Sequence, residues 1–206
     1  MGHVVLLGDS IFDNASYVPG GPSVIEHLRR GLPPDWNATL LAVDGSVASD
    51  GSRQLARVPD DATHLVVSTG GNDALGYSGM ILRDPARSFD EVLTRLGAIG
   101  EEFQQEYRAM LRSVLNHGKR TIVCTIYDAV PGLDLSLKTG LCIFNDIITR
   151  EAFQHGLSVI DLRLICDEAA DYSAISPIEP SAAGGAKIAE AVVRAVTEAG
   201  GSRVFA

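Results

Sequence analysis

The chain lacks most of the features that announce a partner or a cofactor. Cysteine is scarce, with three in 206 residues, and Cys124, Cys142 and Cys166 follow no metal-ligand spacing. The odd count excludes a closed disulfide framework. Each sits in apolar company, so all three are expected to be buried free thiols. No apolar run approaches the roughly 20 residues that cross a bilayer. The N-terminus shows no basic stretch followed by a small-residue cleavage site, and the chain is expected to be soluble and cytoplasmic. Walker A and Gly-x-Gly-x-x-Gly patterns are missing, which disfavours nucleotide phosphates. Positive charge is also short: 17 Lys and Arg against 26 Asp and Glu give a net charge of −9. A nucleic-acid partner, which requires clustered cations, is disfavoured. The adjacent basic pairs Arg29-Arg30 and Lys119-Arg120 fall where a helix ends or a strand starts, and read as solvated surface.

Histidine is scarce where chemistry would need it. The five are His3, His27, His64, His117 and His155. His3 and His64 begin apolar runs, and His117 and His155 end helical ones, where they suit the negative end of a helix dipole. His27 lies within a helical segment. Within one chain, none is placed for a Ser-His-Asp triad.

Core-forming material is ample: 46% of residues are hydrophobic and 21% charged, the balance of one globular domain spanning 1–206. Short apolar runs at Val4–Leu7, Thr39–Val43, His64–Ser68, Arg120–Ile126 and Ser158–Leu162 read as strands. Between them lie amphipathic segments. Pro22–Arg30 stops at Gly31-Leu32-Pro33-Pro34. Ala98–His117 carries Phe103, Tyr107, Met110, Leu111 and Leu115 at helical spacing. Leu135–His155 and Ala182–Ala199 complete the set. Alternation of this kind predicts α/β architecture, a five-stranded parallel sheet with helices on both faces. The segment Gly76–Gly97 is the longest irregular stretch, either a cap or a surface loop.

In open parallel sheets ligands sit beyond the carboxyl ends of the strands. The loops there are Gly8–Gly21, Asp44–Ser52, Thr69–Asp73, Tyr127–Asp134 and the stretch around Asp171–Ser181. Gly8-Asp9-Ser10 follows the first strand, which presents Ser10 at that edge as a candidate nucleophile in need of a base. Alone, Asp9-Ser10 is equally a turn or a helix cap. Gly70-Gly71-Asn72-Asp73 follows the third strand and offers the Asn72 amide, while Gly45 offers an unobstructed backbone N–H; both suit a developing oxyanion. Ordinary turn chemistry explains either one singly. Asp13 and Asn14 could position Ser10, Asp73 could fix the Asn72 turn, and Asp128 is an alternative carboxylate. The carboxylates show no metal-ligand spacing.

These blocks resemble the SGNH/GDSL hydrolase family: Gly8-Asp9-Ser10, Gly45 and Gly71-Asn72-Asp73 in order, then Pro180-Ser181-Ala182-Ala183-Gly184-Gly185 like the last block. The resemblance implies a flavodoxin-like three-layer α/β/α sandwich and cofactor-free hydrolysis of a small acyl or acetyl ester. It implies Ser10 as nucleophile, with the Ser10 backbone, Gly45 and Asn72 as oxyanion hole. The expected partner is a small-molecule ester, and the expected assembly a monomer or homodimer.

The last block departs from the family pattern, with Ser176 at its Asp position and Glu179 at its His position. A carboxylate base needs no Asp to fix a tautomer, and an adjacent Asp would repel it. Its reference pKa lies about two units below histidine's, a handicap of roughly 3 kcal/mol. Burial against Tyr172 and Ile178 would recover part of it. Two readings of Glu179 stand: a base for Ser10, or a structural carboxylate at the positive start of the helix near Ser181. Two alternatives to an esterase also stand. One is a weak or inactive relative that binds an acylated or carbohydrate ligand. The other is a flavodoxin-like regulatory or phosphate-binding domain.

Overall fold

The computed structural model describes residues 1–198 and 203–205. Six strands form one parallel sheet: β1 (Gly2–Gly8), β2 (Trp36–Leu40), β3 (His64–Ser68), β4 (Arg120–Cys124), β5 (Ser158–Ile160) and β6 (Val204–Phe205). Their order is β2-β1-β3-β4-β5-β6. Eight α-helices connect them: α1 (Val24–Gly31), α2 (Gly51–Leu55), α3 (Gly71–Gly76), α4 (Ser78–Arg83), α5 (Phe89–Leu115), α6 (Leu135–Gln154), α7 (Leu162–Ile165) and α8 (Ala182–Thr197).

Strand side chains alternate between faces, and two separate cores follow. Val4, Leu6, Val66, Ile122 and Ile160 pack under α1, α7 and α8. Val5, Leu7, Leu65, Val67 and Val123 pack under α5 and α6. Burial on both faces explains why these strands read as continuous apolar runs. The result is the expected three-layer α/β/α sandwich, with every strand parallel and every carboxyl end at one edge.

Four local expectations need correction. The sheet has six strands instead of five, because the chain returns after α8 and pairs Val204 and Phe205 with Val159 and Ile160. Two residues carry no periodicity to read. The second strand lies earlier, at Trp36–Leu40 instead of Thr39–Val43. Leu41 and Ala42 both donate to the Leu6 carbonyl, at 2.9 and 3.0 Å, which ends the regular ladder there. The stretch Gly76–Gly97 is mostly helical, since α4 and the first turns of α5 occupy it. The Ser88 side chain accepts from the Glu91 N–H and caps α5, with Asp90 and Glu91 in the first turn. Phe89 and Leu93 there face solvent, so the helix starts without an inward apolar stripe. The expected end of the last helix, at Ala199, lies outside the described residues. Cys124 and Cys166 are buried, whereas Cys142 lies on the exposed side of α6.

One polar contact ties α5 to α6 beside the second core. Glu151, 1% exposed, accepts from Arg108 Nε at 2.6 Å and from Gln104 Nε2 at 3.1 Å. Losing a partner from a buried carboxyl costs its desolvation. Arg108→Leu is expected to lower the unfolding free energy by about 1–3 kcal/mol in urea denaturation. The exposed Arg150–Asp146 pair sets the contrast, with Arg150→Ala changing it by about 0–1 kcal/mol.

Candidate active site

The first turn of the site is forced by close strand packing. Gly8 ends β1 with φ of 122°, and a Cβ there would stand 1.7 Å from the Ser68 carbonyl oxygen of β3. Only glycine allows that approach. Asp9 then donates its N–H to the same carbonyl at 3.1 Å, and its own carbonyl accepts from the Phe12 and Asp13 N–H groups, both at 3.1 Å. This tight turn holds Ser10, 6% exposed, just past the sheet edge. The Gln54 amide clamps the turn from α2: it donates to the Gly8 carbonyl and accepts from the Gly8 N–H, both at 2.7 Å. The Gln54 Nε2 also reaches Ser46 Oγ at 3.3 Å. Nothing in the sequence singles out Gln54, whose role depends on α2 folding back over β1.

The second and third motifs are bonded to each other. Gly70, with φ of 116°, turns the chain from β3 into α3, which brings Asn72 and Asp73 to the edge. Asn72 Nδ2 donates to the Ser46 carbonyl at 3.0 Å. Both Asp73 carboxyl oxygens accept from the Ala48 N–H, at 3.2 and 3.1 Å. Gly45, on the same loop, is exposed with φ of 78°. Asp13 Oδ2 accepts from the Asp44 N–H at 3.0 Å and steadies that loop from the Ser10 side. Neither the Ser10 nor the Gly45 N–H has an acceptor among the described residues.

Glu179 stands on a loop pinned from several directions. Ser173 N–H donates to the Glu179 carbonyl at 2.8 Å, and Glu179 N–H to the Ser176 carbonyl at 3.0 Å. Tyr127 donates its hydroxyl to the Ile178 carbonyl at 2.6 Å. Asn14, fully buried, donates from Nδ2 to the Pro180 carbonyl at 3.1 Å and accepts from the Val24 N–H at 2.9 Å. The loop therefore follows the segment that carries Ser10. The Glu179 side chain is 6% exposed, its Oε2 is buried without a partner, and it shares the lining of one cleft with Ser10. Burial pushes its pKa up to about 7; the Ser10 contact opposes the rise, and nearby Asp44 adds to it. The helix-capping alternative finds no support here. Ser181 Oγ caps α8 instead, accepting from the Ala183 and Gly184 N–H groups at 3.1 Å each.

Ser10, Asn72 and Glu179 line one cleft of about 90 Å³. Asp9 lines it too and is buried; desolvation pushes its pKa up to about 8, against the Ile11 N–H bond, with Glu179 and Asp73 raising it further. Asp73 is also raised, to about 6, mainly by burial. Gly45 is outside the lining, as are Asp13 and Asp128. Asp128 faces Lys138 Nζ at 3.6 Å instead. No histidine lines the cleft. His3 is tied to Thr39 and Asp61, and His64 stacks on Trp36 at 5.2 Å. Among the described residues no group of His, Cys, Asp and Glu could hold a metal ion. No described helix is long and apolar enough to cross a membrane.

Raised carboxyl pKa values carry a stability consequence. The fold binds protons at Asp9, Glu179 and Asp73 that the unfolded chain releases. Their stabilising contribution is complete below about pH 4 and is lost as pH rises through the folded values. These groups are expected to lower the melting temperature between about pH 4 and about pH 8. Asp9→Asn should flatten that decline in a scanning-calorimetry series.

The GDSL-like lipase/acylhydrolase family model matches residues 6–187. No curated protein matches the chain. The lipase Lip_vut3 from a goat rumen metagenome superposes with a TM-score of 0.71 at 17% identity, over 92% of this chain and 95% of that one. A lipolytic G-D-S-L family member from Veillonella parvula gives a TM-score of 0.71 at 17% identity, over 96% and 100%. The acetylxylan esterase Axe2 from Geobacillus stearothermophilus gives 0.64 at 15% identity, over 96% and 95%. At these identities the superpositions establish the fold, and the family match covers every motif from Gly8 to Gly185. The chain belongs to the GDSL-like lipase/acylhydrolase family and is a hydrolase acting on ester bonds.

Proposed function

We propose that the chain cleaves an acyl ester through Ser10, with Glu179 replacing histidine as the base. The observation that carries this reading is a buried Glu179 carboxyl in the same cleft lining as Ser10, at the head of apolar walls. A carboxyl raised to about 7 stands near the ordinary histidine value of about 6.5. Burial thus offsets the handicap of replacing imidazole.

The proposed cycle has two halves. The Ser10 hydroxyl proton passes to Glu179 as Oγ bonds to the ester carbonyl carbon. The carbonyl oxygen becomes an oxyanion, met by the Ser10 and Gly45 N–H groups and by the Asn72 amide. Collapse breaks the bond to the leaving alkoxide, which takes the proton from Glu179 and leaves an acyl-Ser10 ester. Water then gives its proton to Glu179, bonds to the acyl carbon, and the proton returns to Ser10 as the acid departs. No Asp is needed at position 176, because a carboxylate has no tautomer to hold.

Intact mass after a serine-reactive fluorophosphonate is expected to show one adduct, absent from Ser10→Ala. Glu179→Gln should lower kcat/KM by about 10²–10⁴-fold. With the base required ionised, kcat/KM should rise with pH around a midpoint near 7. A folded protein that gives no adduct would instead favour a pocket that binds an acylated or carbohydrate ligand without turnover. Full activity in Glu179→Gln would remove Glu179 from the mechanism.

A further inference from the structure

The cleft is built for more than the ester bond. Its charged lining, Asp9 and Glu179, belongs with Ser10, and no Lys or Arg lines it, so a phosphate or carboxylate ligand finds no counter-charge. Leaving Ser10, the walls become apolar: Ile81 of α4 on one side, and Leu137, Gly140, Leu141 and Phe144 of α6 on the other. Phe144 is 2% exposed and is wedged against Phe103 and Tyr77, with ring centroids 4.7 and 6.3 Å away. It is a rigid wall. A Cβ at Gly140 would meet Ile81 Cδ1 at 3.2 Å, so α4 sits this close to α6 because position 140 has no side chain. An acetyl group would fill only the Ser10 end and leave the apolar walls without a partner. A sugar would bring hydroxyls to walls with few polar groups to satisfy them.

Resting on the Ser10 reading above, we infer that the α4–α6 cleft is an acyl-chain site. It takes a linear, medium-length acyl group whose carbonyl lies at Ser10, and Gly140 and Leu137 set the accepted length. From Leu137 to Phe144 helix α6 rises about 10 Å, which suits an extended chain of about eight carbons. Apolar burial then contributes about 0.8 kcal/mol per methylene, or about fourfold in kcat/KM for each carbon the cleft still covers.

The test is a p-nitrophenyl ester series from acetate to dodecanoate on the intact chain. The kcat/KM is expected to climb to about octanoate and then level or fall. Gly140→Leu drives a side chain against Ile81 and disrupts the α4–α6 wall, and Leu137→Asp places a charge in that wall from a half-exposed position. Each should lower the octanoate-to-acetate ratio of kcat/KM at least about tenfold. Phe153→Ser, exposed near the far end of α6, should leave that ratio where it was. Calorimetry of ethyl octanoate with Ser10→Ala reads the site without turnover, and saturable binding weakened by added Leu137→Asp is expected. If that binding appears while esters of no length are cleaved, the acyl-chain site stands and the hydrolytic reading of Ser10 fails. A profile that peaks at acetate, a ratio unmoved by both substitutions, or no binding of ethyl octanoate would overturn the acyl-chain site.

Discussion

Glu179 is buried on a loop that Asn14, from the segment carrying Ser10, ties down at Pro180, and the character of the site follows from that. An exposed carboxylate would be a weak base for a serine, because water stabilises its charge. Desolvation destabilises the ionised form and lifts the pKa to about 7, in the range where a group can take a proton and give it back near neutrality. The unpartnered Oε2 shows how little the protein solvates that charge. Stronger hydrogen bonding to the carboxylate would push the pKa down again. The loop is therefore secured through its backbone, by Asn14, Tyr127 and Ser173, while the carboxyl is left lightly held.

The same economy of contacts runs through the rest of the edge. Each motif is braced by a polar side chain from another part of the chain. Gln54 holds Gly8, Asp73 holds Ala48, Asn72 holds Ser46, and Asp13 holds Asp44. Because these braces bind backbone atoms, they fix the path of the loops while Ser10 and Glu179 remain in the cleft lining. The sheet supplies the reference frame. Parallel strands buried on both faces place three loops at one edge, and the Gly8–Ser68 approach sets the distance between the first and third strands there.

Much of this was legible in the residues. Apolar runs alternating with amphipathic ones specify a parallel sheet with helices on both faces, since strand faces alternate at two residues and helix faces at 3.6. Glycine and short polar residues at the strand ends mark the turns that carry Ser10 and Asn72. The substitution of Glu179 for histidine, with Ser176 beside it, was visible as a paired change whose chemistry makes sense. Where periodicity was missing, the reading failed. Two residues of β6 are too few to show a pattern, and the start of α5 exposes Phe89 and Leu93 instead of burying them.

By itself, then, the sequence determined the architecture, the edge at which chemistry occurs, and the identities of Ser10, Asn72 and Glu179 as its candidates, because these depend on local pattern and order along the chain. Only the tertiary structure decided that Glu179 is dry, that Ser181 and not Glu179 caps α8, that Asp128 turns to Lys138, and that Gly140 lets α4 close upon α6. Those outcomes depend on contacts between residues tens of positions apart, and desolvation is a property of what surrounds a group in space.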